Sequence, residues 1–166
     1  MCGISGIFNL NQAQIDSNIL LSMNNALIHR GPDAGNIQSW KHIGLGHRRL
    51  SIIDLSSNAN QPMQSSNKRF IIVYNGEIYN FLEIKENLTK INYKFKSNSD
   101  TELILAAFQT YGTECFAMFN GMFALAIYDK LEDTLILARD CFGIKPLYFF
   151  KNKDFSKIYK LEFKSN

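Results

Sequence analysis

Met1-Cys2-Gly3-Ile4-Ser5-Gly6-Ile7-Phe8 opens the chain. Cys2 is small enough for the initiator methionine to be trimmed. Trimming leaves one residue with both a thiol and a free α-amine. The thiol is a nucleophile, and the amine can take its proton directly or through a water, so one residue supplies nucleophile and base. A free thiol titrates near ~8.5 and an α-amine near ~7.7–8.0, close enough to neutrality for proton exchange. The plainer reading is a small buried residue at the start of a strand, since free cysteines are commonly buried. Either way, Ile4, Gly6 and Phe8 alternate with Gly3, Ser5 and Ile7 and predict a strand over 2–9. Gly3 and Gly6 imply close backbone approach there.

The 166 residues fit one domain with a real core, and 46% hydrophobic content is ordinary for a globular protein. A net charge of +3 is mild, and the lysines of the tail read as a solvated face rather than a nucleic-acid footprint. No apolar run approaches the ~20 residues of a membrane span, and no signal peptide is legible. Three cysteines, Cys2, Cys115 and Cys141, are odd in number and far apart. That spacing argues against a disulfide framework or a zinc site and for a cytoplasmic compartment. His42 and His47, with no acidic partner nearby in sequence, read as structural.

Further along, Ile15, Ile19, Met23 and Leu27 recur at helical spacing, with Asp16 or Ser17 as cap. His29-Arg30-Gly31-Pro32-Asp33 reads as a loop, His42 to Asp54 as two short strands, and Ser56 to Asn67 as a loop. Arg69 to Tyr74 is β-rich. Asn80, with Glu83 three residues on, caps a helix to about Lys90. A second helix spans about Asp100 to Tyr111 and ends at Gly112. Met122–Tyr128 and Thr134–Ala138 flank a hairpin at 130–133, and Leu147–Phe150 and Ile158–Phe163 are further candidate strands. Strands in two groups with a few helices between predict an α+β domain.

Polar clusters interrupt the apolar strands: Gly46-His47-Arg48-Arg49-Leu50-Ser51-Ile52-Ile53-Asp54, Tyr74-Asn75-Gly76-Glu77-Ile78-Tyr79-Asn80, and Ser97-Asn98-Ser99-Asp100-Thr101-Glu102. Each has a structural explanation of its own. Asn75-Gly76 suits a hairpin turn, Ser99 or Asp100 suits an N-cap, and Arg48-Arg49 suits a surface pair.

Taken with Met1-Cys2-Gly3, these clusters resemble the glutaminase domain of class II glutamine amidotransferases, which are N-terminal nucleophile hydrolases. His29-Arg30-Gly31-Pro32-Asp33, Asn75-Gly76-Glu77-Ile78-Tyr79-Asn80 and Phe142-Gly143-Ile144-Lys145-Pro146-Leu147-Tyr148 are most similar to the N-terminal half of glutamine-hydrolysing asparagine synthetases. The resemblance implies a four-layer αββα sandwich, two antiparallel sheets between helices. It implies that Cys2 attacks the side-chain amide of glutamine, giving a γ-glutamyl thioester and ammonia. Asn75 and Gly76 would form the oxyanion hole, since negative charge develops on the amide oxygen. Arg49, chosen over Arg48 because it directly precedes Leu-Ser-Ile, would clamp the α-carboxylate. Asp100 and Glu77 would receive the α-ammonium, and backbone groups near Leu50, Ile52 and Ile53 would line the pocket. The ammonia would pass to a synthetase domain or partner subunit.

Two departures stand out. Cys141 occupies a position where the family usually carries arginine. The family also continues into an ATP-dependent synthetase domain with a Ser-Gly-Gly-x-Asp-Ser loop that this chain lacks. Residues 1–166 are therefore expected to form a single amidotransferase domain without metal or cofactor. ATP and Mg belong to the absent synthetase domain. Two rival readings stay open: a truncated, non-catalytic remnant or interaction module, and an amidotransferase subunit for a non-aspartate acceptor such as a sugar precursor.

Overall fold

The computed structural model describes residues 2–51 and 57–151. Chain order is β1 (Gly3–Phe8), α1 (Ser17–Ala26), β2 (Ala34–Trp40), β3 (Ile43–Arg49), β4 (Met63–Gln64), β5 (Phe70–Ile78), α2 (Phe81–Lys90), α3 (Asp100–Tyr111), β6 (Gly121–Asp129) and β7 (Thr134–Arg139). One sheet has the order β1-β3-β2 and the other β4-β5-β6-β7, with every pairing antiparallel. α1 covers the outer face of the first sheet; α3 covers that of the second, with α2 packed on α3 and sharing its apolar layer. The layering is the αββα sandwich that the sequence resemblance implies.

Two apolar layers hold the sandwich together. Between the sheets, Phe8, Ile43 and Leu45 meet Ile71, Val73, Ala126 and Tyr128. Between the second sheet and its helices, Ile72, Ile78, Leu125 and Ile127 meet Leu88, Leu103, Ile104 and Phe108. Each fully buried side chain of this size contributes ~1.5–3 kcal/mol relative to exposure. The strand alternation that feeds both layers also separates the arginines of β3. Odd positions, from Ile43 to Arg49, are buried, whereas Arg48 turns its guanidinium towards α1, where Nε donates to Asn24 O at 3.2 Å.

Several expectations need correcting. α1 buries Leu20 and Asn24, whereas Ile19 and Met23 are 54% and 38% exposed. The helix is rotated because Gly44 of β3 leaves room for Leu20; a Cβ there would lie 2.7 Å from Leu20 Cδ2. Asp16 is the cap, accepting from Asn18 N–H at 2.8 Å. β2, which the sequence does not announce, is a polar edge strand; of the two strands expected over 42–54, one is β3 at 43–49, and 52–54 lies outside the described residues. Asn75-Gly76 is not a turn: β5 runs straight through it, paired with Ala124 and Phe123. Asn80 makes no capping bond. Its amide instead ties Met118 O at 3.0 Å and Asn120 N–H at 3.0 Å. Leu147–Phe150 is not a strand, and Ile158–Phe163 lies outside the described residues.

Candidate active site

Cys2 immediately precedes β1 and meets the end of β3. Its Sγ donates to Leu50 O at 3.7 Å and accepts from Leu50 N–H at 3.4 Å. The His-Arg-Gly-Pro-Asp loop fixes both segments. Arg30 Nε donates to Cys2 O at 3.2 Å, Asp33 N–H donates to Arg49 O at 3.1 Å, and Asp33 Oδ2 accepts from Ser51 N–H at 2.8 Å. A loop remote in sequence from Cys2 thus holds the thiol against the strand that carries Arg49.

A cavity of about 140 Å³ opens beside the thiol, lined by Cys2, Arg49, Leu50, Asn75, Gly76, Glu77 and Asp100 among others. Every described residue that the sequence nominates for the site is therefore in one place. Ile52 and Ile53 lie outside the described residues. A larger apolar groove of about 720 Å³ lies elsewhere, along β1 and α1, and takes in Ile19 and Met23. It contains no thiol and no cationic side chain, so volume alone does not mark the chemistry.

Arg49 is buried, and its Nη1 donates to Asn60 Oδ1 at 2.7 Å. Asn75 is buried on β5, and Gly76 follows where β6 packs too close for a Cβ. A Cβ at Gly76 would strike Met122 O and sit 2.7 Å from Phe123 Cα. Asp100 is buried at the N-terminus of α3, next to the cap Ser99. Its Oδ2 accepts from Ile78 N–H at 2.9 Å and from Tyr74 OH at 3.3 Å. Burial pushes the Asp100 carboxyl above the usual carboxylate range. Glu77 is exposed at the rim.

Three residues lining the cavity, and Asp140 behind it, escape a motif-by-motif reading. His47 is buried beside Arg49 on the same strand face, and burial, reinforced by the Arg49 charge, lowers its pKa to about 4. Gln61 Oε1 accepts from Tyr74 N–H at 2.6 Å, and its Nε2 donates to Thr101 Oγ1 at 3.0 Å. Lys145 reaches the cavity from the segment after β7. Asp140 shapes that segment by accepting from Phe123, Ile144 and Lys145 N–H groups at 3.1, 2.8 and 3.0 Å. Desolvation works against its charge, but these amide donors outweigh it and hold the Asp140 carboxyl below the usual range. Of these, His47 and Lys145 lie inside stretches that carried the resemblance. His47 and Gln61 bond backbone groups of Tyr74, distant in sequence, which no local pattern reveals.

Comparison with known proteins gives the chain's relatives. The chain is 43% identical over 152 residues to glutamine-hydrolyzing asparagine synthetase 1 of Bacillus subtilis, covering 90% of this chain and 24% of that protein. It is 37% identical over 149 residues to glutamine-hydrolyzing asparagine synthetase B of Escherichia coli (89% and 26%) and 36% identical over 166 residues to glutamine-hydrolyzing asparagine synthetase 2 of Oryza sativa subsp. japonica (99% and 28%). The chain thus spans about a quarter of the length of these relatives. The glutamine phosphoribosylpyrophosphate amidotransferase of B. subtilis, solved with ADP and GMP, superposes with a TM-score of 0.72 at 19% identity over 87% of this chain and 38% of that one. That likeness establishes the fold. A family model described as a glutamine amidotransferase domain matches residues 1–165, and the chain belongs to that family.

Proposed function

We propose that this chain hydrolyses the side-chain amide of glutamine to glutamate and ammonia through Cys2. The observation that carries the reading is the convergence on one cavity of a thiol, a guanidinium, two carboxylates and a strand segment bearing an amide side chain. Glutamine has the complementary set: a carboxylate for Arg49, an ammonium for Asp100 and Glu77, and an amide for Cys2.

With Met1 removed, the α-amine of Cys2 accepts the thiol proton. Sγ forms a bond to the amide carbon, and the C=O π electrons move onto oxygen. Asn75 Nδ2 and Gly76 N–H donate to that oxyanion. Collapse of the tetrahedral intermediate breaks the C–N bond, and the amine returns its proton to the departing nitrogen, which leaves as ammonia. Water then attacks the thioester, the same amine accepts the water's proton, and glutamate leaves as Sγ is reprotonated. Arg49 grips a part of glutamine whose charge does not change, so it serves binding. The oxyanion donors engage a charge that appears only during reaction, so they serve rate.

The relatives' names support asparagine synthesis as the use of the ammonia. In this reading it passes to a synthetase domain or subunit, where ATP and Mg are consumed. The test is a glutaminase assay on the purified chain with Cys2→Ala as control. Glutamate release by the wild type and none by the variant is expected; equal rates would overturn Cys2 as nucleophile.

A further inference from the structure

The strand that presents Asn75 and Gly76 is held in an unusual way. One edge of β5 is paired along its whole length with β6. On the other edge β4 pairs only with Ile71 and Ile72. Beyond that, side chains take the place of a strand. Gln61 Oε1 accepts from Tyr74 N–H at 2.6 Å, and His47 Nε2 bonds Tyr74 O at 3.2 Å. Asp100 Oδ2 then accepts from Ile78 N–H at 2.9 Å. In an antiparallel strand, residues two apart send their N–H and C=O groups to the same edge. Gly76 lies midway between Tyr74 and Ile78, so its N–H is directed to this edge, where the cavity containing Cys2 opens.

A carbonyl only accepts, so His47 bonds Tyr74 through an Nε2–H. His47 comes from the first sheet and Gln61 from the segment before β4, so the N–H and C=O of Tyr74 are held by two separate elements. Both side chains are buried, at 1% and 6% exposure, which leaves the grip little room to shift. Gln61 is itself tied to Thr101 at the start of α3.

We propose that His47 and Gln61 are positioning residues for amide hydrolysis. By holding both the N–H and the C=O of Tyr74 on this edge, they set β5 so that the Gly76 N–H and the Asn75 side chain meet the developing oxyanion. The inference rests on the glutaminase reading above. The clamp acts on donors that matter most in the transition state, so its loss lowers kcat more than it changes KM.

The test uses the 166-residue chain with His47→Leu and Gln61→Met, each close in volume to the residue replaced. Glutamine kinetics are measured beside the rate of Cys2 alkylation by iodoacetamide, a reaction that forms no oxyanion. The expected result is a kcat lower by about 10–100-fold, as for a small misplacement of catalytic groups. KM should stay within about threefold and alkylation should be unchanged. His47→Gln, which keeps an N–H donor, should restore most of kcat. Combining His47→Leu with Asn75→Ala should cost less than the product of the two single losses. Wild-type kcat in both variants would overturn the proposal. So would a loss of alkylation matching the loss of kcat, because the site would then be generally disrupted. A wild-type chain that hydrolyses no glutamine would instead overturn the glutaminase reading itself, and the clamp's catalytic role with it.

Discussion

His47 carries a prediction that needs no substrate. It is 1% exposed beside Arg49, and its pKa is lowered from 6.5 to about 4. The native protein therefore resists protonation that the unfolded chain accepts. Between pH 6.5 and about 4 the unfolded state binds more protons, so stability falls as the solution is acidified through that window. Above 6.5 both states hold a neutral imidazole and the contribution is complete. At ~1.4 kcal/mol per pH unit, the full gap amounts to ~3 kcal/mol, of which about 2 kcal/mol is lost by pH 5. His47→Gln removes the titrating group, and other ionisable residues respond alike in both proteins, so the comparison isolates His47. Urea unfolding followed by the fluorescence of Trp40, the chain's one tryptophan, gives ΔG at pH 7 and pH 5. The wild type should lose about 2 kcal/mol more than the variant between those values. Equal losses would refute the argument that burial and Arg49 keep this imidazole neutral.

Other outcomes follow from the same geometry. Intact-mass measurement should show Met1 removed, because the α-amine of Cys2 is otherwise locked in a peptide bond; a fully active protein retaining Met1 would end the N-terminal nucleophile mechanism. Arg49→Ala should raise KM for glutamine about 10–100-fold, the worth of a hydrogen bond to a charged group, with a smaller change in kcat. Asn75→Ala should lower kcat about 10²–10³-fold. Steady-state kinetics showing the opposite split would mean that these two roles are exchanged. Given glutamine, aspartate and Mg-ATP, the chain should release glutamate but form neither AMP nor asparagine, and chromatographic detection of either would reveal a nucleotide site in this chain.

Much of the site was legible because its chemistry sits in contiguous words. Cys2 follows the initiator methionine; Arg49, Asn75-Gly76-Glu77 and Asp100 each stand in a short polar run, and the fold brings all of them to one cavity. What resisted reading was decided by tertiary contact. Asn75-Gly76 has turn composition, yet a full ladder to β6 on one edge and the side chains of Gln61, His47 and Asp100 on the other hold it extended. β2 lacks apolar alternation because it is an edge strand whose side chains are half-buried or exposed, none fully buried. The buried face of α1 was misjudged because one of its two buried residues is the polar Asn24. Gln61 and His47 bind backbone groups of the distant Tyr74, a relation that sequence spacing does not encode.

The central claim is that Cys2 is the nucleophile in a pocket shaped for glutamine. The most direct measurement uses a diazoketone analogue of glutamine, whose electrophilic carbon stands where the amide is, followed by peptide mapping. The account predicts loss of N₂, one covalent adduct on the N-terminal cysteine, protection by glutamine, and no labelling of Cys115 or Cys141. Glutamate production that continues while Cys2 stays unlabelled, or labelling of Cys2 that glutamine does not slow, would contradict it.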